Sequence, residues 1–432
     1  MAQILDTKYQ SLEGAGQVKF LTLPSFPLLF IVDQLLLPMF HLGAIPIKIS
    51  YILLAIWLGN ILFSTKKLDR EFCKIAGIFI SIIFCSLLGE LFVYFKYPQN
   101  DFAETAWSII IYLLMIFSFG LSTSNSSFNF KSLYWVFFAS IILNFILIFF
   151  SSRIPYVAEF YYSQNAADNL GLSDVSDIVN MLRPRGLFGN PNTSMLQVNV
   201  AYLFIVIFIR KKLLPRPGIP LTTLLIIFPT SLAIVLGSRS ELLVTVLYSL
   251  VLSYSMFGKK GFFIFGFVGI LFLAILIWVS SIISSQSGFA QADMIKSAFE
   301  RFTKTNEEFF TTEEDDNGLK RPLILWNTAK ARIAQSPIFG SGYNAVLGLD
   351  TFPYDYSPRY YHNDWLRVIV SSGIIGLFLF LFFIRKYVLK YDILLITPFI
   401  LPALTNTFLL SIPSIMFYFF MIGIMYKQKF SF

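Results

Sequence analysis

Residues 360–384 read YYHNDWLRVIVSSGIIGLFLFLFFI. A His, an Asn, an Asp and an Arg stand at the head of an oily run. That run is about 20 residues long, enough for a helix to cross a bilayer core of about 30 Å. Runs of the same kind recur from one end of the chain to the other. The 432 residues are 56% hydrophobic and 13% charged, with a mean hydropathy of +0.69. A soluble domain needs more charge than this to cover its surface. The chain therefore reads as all-α, a polytopic transmembrane helix bundle forming one integral membrane domain over residues 1–432.

About 12 spans are expected. Their limits are 21–40, 44–63, 73–95, 103–121, 132–151, 193–210, 220–237, 241–257, 261–283, 362–384, 391–410 and 412–426. Pro24, Pro27 and Asp33 interrupt the first, and the last two join tightly around Pro413. Lys and Arg fall unequally on alternate connections. Lys66, Lys67, Arg70, Lys74, Lys131, Arg210, Lys211, Lys212, Lys259, Lys260, Arg385, Lys386, Lys390 and Lys427 belong to one set, and only Lys48, Lys96 and Arg239 to the short loops of the other. The full count is roughly 18 against 3, so the first set is expected in the cytoplasm. An even number of spans then puts both termini there. The net charge of +8 thus marks cytoplasmic loops and not a nucleic-acid partner. No short apolar core with a small-residue cleavage site occurs in the first 20 residues, so the first span is expected to stay in the mature protein. Cys73 and Cys85, both in one apolar run, read as free buried thiols.

Two long connections, 152–192 and 284–361, fall on the outer side. The second is expected to be partly helical, because ADMIKSAFERF and LILWNTAKARIA place apolar residues three and four apart. Its acidic run, Glu313 to Asp316, lacks the spaced ligands and glycine turn of a cation loop and reads as solvated. No metal is expected.

Three outer positions stand out. Arg185 lies in RPRGLFGNPNTSM before the sixth span, Arg239 in the short turn LGSRSELL, and His362 at the head of the tenth span. A guanidinium in a short outer turn serves as a snorkelling anchor or as a phosphate clamp, its fixed donors matching phosphate oxygens. Arg183 shares the environment of Arg185. The glycines and the NPN turn hold unusual backbone, and Asn190 or Asn192 suits the cap of the helix that follows. A helix start also favours anions. His362 is a structural interface residue or a general base for a hydroxyl, with Asn363 and Asp364 close enough to orient it. SSGIIG allows a neighbouring helix to approach closely. Asp33 and Glu90, inside spans, read as support within the bundle.

Taken in order, Arg185 with GLFGNPN, then GSRSELL, then LWNTAKARIAQSPIFGSGYN, then YHNDWLRVIVSSGIIG resembles the O-antigen ligase and polymerase superfamily over roughly residues 180–385. The resemblance implies a glycan donor linked to undecaprenyl diphosphate, presented at the periplasmic face of the bacterial inner membrane, and an acceptor glycan hydroxyl. It implies that no metal, nucleotide sugar or other cofactor takes part. Arg185 and Arg239 would hold the diphosphate, and His362 would activate or position the acceptor. In the second loop Arg301, Arg321, Arg332 and Arg359 are candidates, Arg321 first among them. Two long outer loops resemble the polymerases of the family more than the ligases, which pass the finished glycan to lipid A core. A chain-length regulator is a further candidate partner. A flippase for the same lipid is the reading from another class. It fits less well, because such proteins show repeats and charged sites near the midplane, and here the unusual residues gather at one face.

Overall fold

The protein is seen in a computed structural model. It describes residues 25–38, 40–42, 45–63, 69–96, 102–124, 128–150, 154, 156–157, 160–161, 186–187, 191–236, 238–285, 329–343, 363–400 and 408–428. The helices are α1 (Ser25–Leu35), α2 (Ile49–Phe63), α3 (Arg70–Lys96), α4 (Phe102–Ser124), α5 (Phe130–Phe150), α6 (Pro191–Arg210), α7 (Ile219–Val235), α8 (Arg239–Ser285), α9 (Asp364–Phe383) and α10 (Ile412–Lys427). A small antiparallel hairpin, β1 (Phe40–Leu42) with β2 (Ile45–Ile47), joins α1 to α2. It is the only sheet among the described residues. Six helices are long and apolar enough to cross a membrane: those in α3, α4, α5, α6, the first half of α8, and α9. Four shorter apolar helices, α1, α2, α7 and α10, pack with them.

Local chemistry sets the helix ends. Asp69 caps α3, its Oδ1 accepting from the amides of Glu71 (2.8 Å) and Phe72 (3.2 Å). Proline at the first turn opens α7 and α10, where its missing N–H costs nothing. α8 is two helices meeting at Gly258, whose φ of 62° only glycine adopts readily. That break separates the two spans expected at 241–257 and 261–283.

Side-chain contacts fix the direction of each helix. α6 and α8 run parallel, Asn199 meeting Glu241 and Thr245, and Tyr202 meeting Ser249. α6 and α10 are also parallel, with Gln197 on Ser414 and Phe204 against Phe417 and Tyr418. α5 runs against α6, pairing Phe130 with Phe208 and Phe137 with Tyr202. α3 runs against α9, pairing Phe79 with Phe383 and Glu71 with Tyr387. The starts of α4, α6, α8, α9 and α10 therefore share one face, with the ends of α1, α3 and α5. On the opposite face lie Asp69, Arg70, Glu71, Arg210 and Tyr387, tied by Tyr387–Glu71 and Arg210–Asp392. The helices whose alternation was expected from sequence thus alternate in space.

α6 and α10 are the axis of the bundle. Residues 194–209 of α6 and 411–425 of α10 are all buried, as expected of helices apolar on every side. Lipid is as apolar as these side chains, so close packing holds them in place. Phe30 stacks on Phe420 with ring centroids 4.2 Å apart, and Phe383 on Phe419 at 5.4 Å.

Two helices depart from the regular form expected of them. The segment 391–410 was expected as one continuous span. Its described residues are a 3-10 turn (Ile393–Ile396), a single α-turn (Thr397–Ile400) and a 3-10 turn (Phe408–Leu410). It still climbs from one face to the other, because Asp392 meets Arg210 on one side and Phe408 meets Asp364 on the other. Pro398 removes an amide a helix would need. Side chains take over the freed backbone. Asp392 accepts from Leu394 N at 3.0 Å, Tyr418 donates to Leu395 O at 2.6 Å, and Trp365 Nε1 donates to Phe399 O at 2.6 Å. Such breaks survive at membrane depth only inside protein.

The second break is in α9, at Gly373 (φ 66°). SSGIIG does admit a close neighbour, but the neighbour there is an irregular segment, residues 336–342, lying between α3 and α9. Ser341 N and Gly342 N donate to Val370 O and Ser371 O at 2.8 and 3.1 Å. Ile374 N donates back to Pro337 O at 2.9 Å. Gly89, Gly340 and Gly373 have no room for a Cβ, which would run into backbone in each case. This part of the long 284–361 connection, residues 336–342, is therefore packed inside the bundle.

Candidate functional site

The face shared by the starts of α6, α8, α9 and α10 carries a cluster of buried polar side chains, among them Asp33, Lys48, Glu90, Asn144, Ser194, Gln197, Asn199, Glu241, Asp364 and Arg367. Polar groups this costly to bury each need a partner, and most find backbone.

Around Arg185 the chain is held by its next two residues. Gly186 has φ 69°, and a Cβ there would strike Asn144 Oδ1 and crowd Ser194. Asn144 of α5 accepts from Leu187 N at 2.9 Å and donates to Ser140 O at 2.8 Å. The turn is thus clamped between α5 and the first turns of α6. Arg183, Arg185 and Asn190 lie outside the described residues. Asn192 is in the first turn of α6 and is half-buried.

Arg239 is the first residue of α8. Two residues on, Glu241 is fully buried. Asn199 Nδ2 donates to its Oε2 at 2.8 Å and to its backbone carbonyl at 2.9 Å. Thr245 donates to Asn199 Oδ1 at 2.8 Å, closing the cluster. Ser194 and Asn199, the α6 anchors of the two regions, are about 7.5 Å apart along the helix. The neighbours of Arg185 and Arg239 are therefore fixed to one short stretch of α6.

His362 and Arg321 lie outside the described residues. Asn363 is the N-cap of α9, its Oδ1 accepting from Leu366 N at 3.0 Å. Asp364 is buried, and its carboxylate accepts from Phe408 N at 2.9 Å and Leu409 N at 3.2 Å. Both were expected to contact substrate or orient the histidine. Their side chains hold backbone: one starts α9, and the other ties that start to the segment before α10. Phe408 leads to Ser411, which bonds Ser414, which donates to Gln197 of α6 at 2.5 Å. The start of α9 is thus linked through polar groups to the α6 stretch that anchors the arginine regions.

Asp33 caps α2, accepting from Ser50 N at 3.0 Å and Ile49 N at 3.2 Å, while Lys48 Nζ donates to Asp33 O at 2.6 Å. Glu90 accepts from Thr105 Oγ1 at 2.5 Å. Both carboxylates support the bundle. Sequence reading passed over Asn144, Gln197, Asn199, Glu241 and Arg367. Their signal was a polar residue inside an apolar run, as in MLQVNVAY.

No curated protein and no solved structure matches the chain. The model of a protein family described as O-Antigen ligase matches residues 223–381. That segment runs from α7 through α8 to the end of α9 and contains Arg239, Arg321 and His362; Arg183 and Arg185 precede it. Over this segment, and short of half the chain, the protein is similar to the O-antigen ligase family.

Proposed function

We propose that the protein polymerises lipid-linked oligosaccharide repeat units at the outer face of a bacterial inner membrane. It crosses the membrane about 12 times with both termini in the cytoplasm, the basic face inward. The connections 152–192 and 284–361 are periplasmic. A glycan leaves undecaprenyl diphosphate for a sugar hydroxyl on the acceptor. The bond from the anomeric carbon to the phosphate oxygen breaks, and a bond from that carbon to the acceptor oxygen forms. The hydroxyl proton passes to His362, a base that is neutral near pH 7. The electron pair stays on the diphosphate, whose growing charge Arg185 and Arg239 meet with preorganised donors, Arg183 and Arg321 assisting. The starts of α6, α8 and α9, next to which these residues stand in sequence, add the favourable end of the helix dipole. No metal is needed, since guanidinium groups supply the positive charge.

The observation that carries the reading is this. The backbone next to Arg185, Arg239 and His362 belongs to one polar network at one face, and the family match spans two of the three.

The test is reconstitution. Purified protein given lipid-linked repeat units alone should build a ladder of longer glycans. Transfer that waits for lipid A core identifies a ligase. Movement of the lipid across vesicles with no new glycosidic bond identifies a flippase. In the polymerase, His362→Ala should slow elongation by about 10² to 10⁴-fold. Wild-type ladders in that variant remove His362 from the mechanism.

A further inference from the structure

Arg367 lies in the first turn of α9 and is 3% exposed. Its Nη2 donates to Ser108 Oγ of α4 at 3.1 Å, and its guanidinium carbon lies 6.0 Å from the centre of the Tyr343 ring. Its Nε is buried and has no hydrogen-bond partner. Among the described residues the ion pairs are Lys74–Glu71 and Arg210–Asp392, so no described carboxylate meets Arg367 at that range. The nearest acid on its own helix, Asp364, is engaged with the amides of Phe408 and Leu409, and Glu90 of α3 takes the Thr105 hydroxyl. A permanent cation has been carried into the bundle with donors in fork geometry, and Asp364, whose charge acts on it through space, makes no ion pair with it.

From this juxtaposition we infer that Arg367 and Ser108 form a phosphate-binding subsite between α4 and α9, separate from the arginines at α6 and α8. The ligand is the phosphate of a lipid. The guanidinium supplies Nε–H and an Nη–H side by side, the arrangement that grips two phosphate oxygens. Ser108 adds a hydroxyl, and the first turn of α9 adds the positive end of its dipole. The flanking surface is apolar: Phe92 and Phe95 of α3 and Ile110 of α4 are exposed, and Phe92 stacks on Phe339 of the inserted segment. A phosphate that arrives on an acyl or polyprenyl chain can leave its tail on that surface. The site's existence is independent of the transferase reading, on which only the identity of the lipid rests. A polymerase handles two lipid-linked substrates and needs a second anchor.

The test is native mass spectrometry of the full-length protein, with undecaprenyl phosphate and phosphatidylglycerol as separate probes and inorganic phosphate as competitor. Wild type should retain two undecaprenyl phosphates. Arg367→Gln should retain one, its second affinity falling about tenfold or more. Arg367→Lys should keep part of the lost affinity, and Ser108→Ala should weaken it severalfold. Arg239→Ala should remove the other lipid and leave this one, so the two sites fail separately. Preference for the polyprenyl probe assigns the subsite to substrate, and equal binding of phosphatidylglycerol assigns it to the bilayer headgroup. Lipid retention unchanged in Arg367→Gln and Ser108→Ala overturns the proposal. Thermal unfolding of each variant separates lost binding from lost fold. If Arg367→Gln does not fold, Arg367→Lys and Ser108→Ala carry the comparison.

Discussion

The contact between α6 and α8 and the contact between α3 and α9 solve one problem in opposite ways. At the first, two helices that stay regular through the contact meet through side chains: Asn199 with Glu241 and Thr245, and Tyr202 with Ser249. At the second, a helix is broken at Gly373 and a stretch of irregular backbone fills the break. Its amides and carbonyls pair with those α9 has released. Side-chain pairs of the first kind average about 0.6 kcal/mol in membranes, with a maximum near 1.7, because the separated helices find other partners. Backbone freed inside hydrocarbon has no such alternative. The α3–α9 contact is therefore the brittle one and the α6–α8 contact the tolerant one, although both stand at the face where the chemistry is proposed.

Substitution of Gly340 should give the largest effect. Its φ is 77°, and a Cβ there would collide with the backbone of Ser371. A left-handed residue with a side chain costs about 1–2 kcal/mol, and forcing atoms into filled space about 1–3 more. Gly340→Ala should lose about 2–5 kcal/mol in reversible unfolding from mixed micelles. Gly59→Ala is the control, with nothing within 4 Å of the added carbon. Equal stability of the two variants would break the contrast drawn here.

Asp364 comes next, since it does for the interrupted segment what 336–342 does for α9. Asp364→Ala leaves the buried amides of Phe408 and Leu409 without their acceptor, at about 1–3 kcal/mol each. Asp364→Asn keeps one acceptor oxygen and should lose less. The readout is unfolding together with hydrogen exchange at residues 408 and 409, where protection should fall first. Slow exchange at both amides in Asp364→Ala would show that the carboxylate is not their cap.

These two breaks mark the limit of what the sequence discloses. The helices were legible because a span needs little more than length and apolarity, and the alternation of Lys and Arg ordered them. The hairpin at 40–47 was not, since three-residue strands lie below the length at which alternation speaks. Nor was the fate of 391–410, which depends on Asp364 forty-odd positions away in the chain. In the site, Arg185, Arg239 and His362 declared themselves by chemistry unusual for their location. Asn144, Asn199 and Arg367 did not, because a polar residue in an apolar run announces that it has a partner without naming it. Asn363 and Asp364 were legible as residues beside a histidine, and only the backbone reveals that their side chains also hold amides.

On the tolerant side, Asn199→Ala removes both hydrogen bonds to Glu241 and the one from Thr245, leaving a carboxylate without its donor. The loss should be about 1–2 kcal/mol, toward the upper end for interhelical pairs because three bonds go at once. Glu241→Gln in that background replaces the stranded carboxyl group and should recover part of it, and with the two single variants it closes a double-mutant cycle that isolates the pair.

The smallest effect belongs to Tyr202→Phe, and it is the sharpest probe of the comparison. The hydroxyl meets only Ser249, at 3.0 Å, and the ring keeps its stack on Phe137 and its edge contact with Tyr248. Loss of one neutral bond between continuous helices should cost about 0.6 kcal/mol, with no change in glycan transfer. A cost several times larger would mean that α6 and α8 are as brittle as the glycine-lined junction, and that the arginine regions rest on a frame as exacting as the one beneath the histidine.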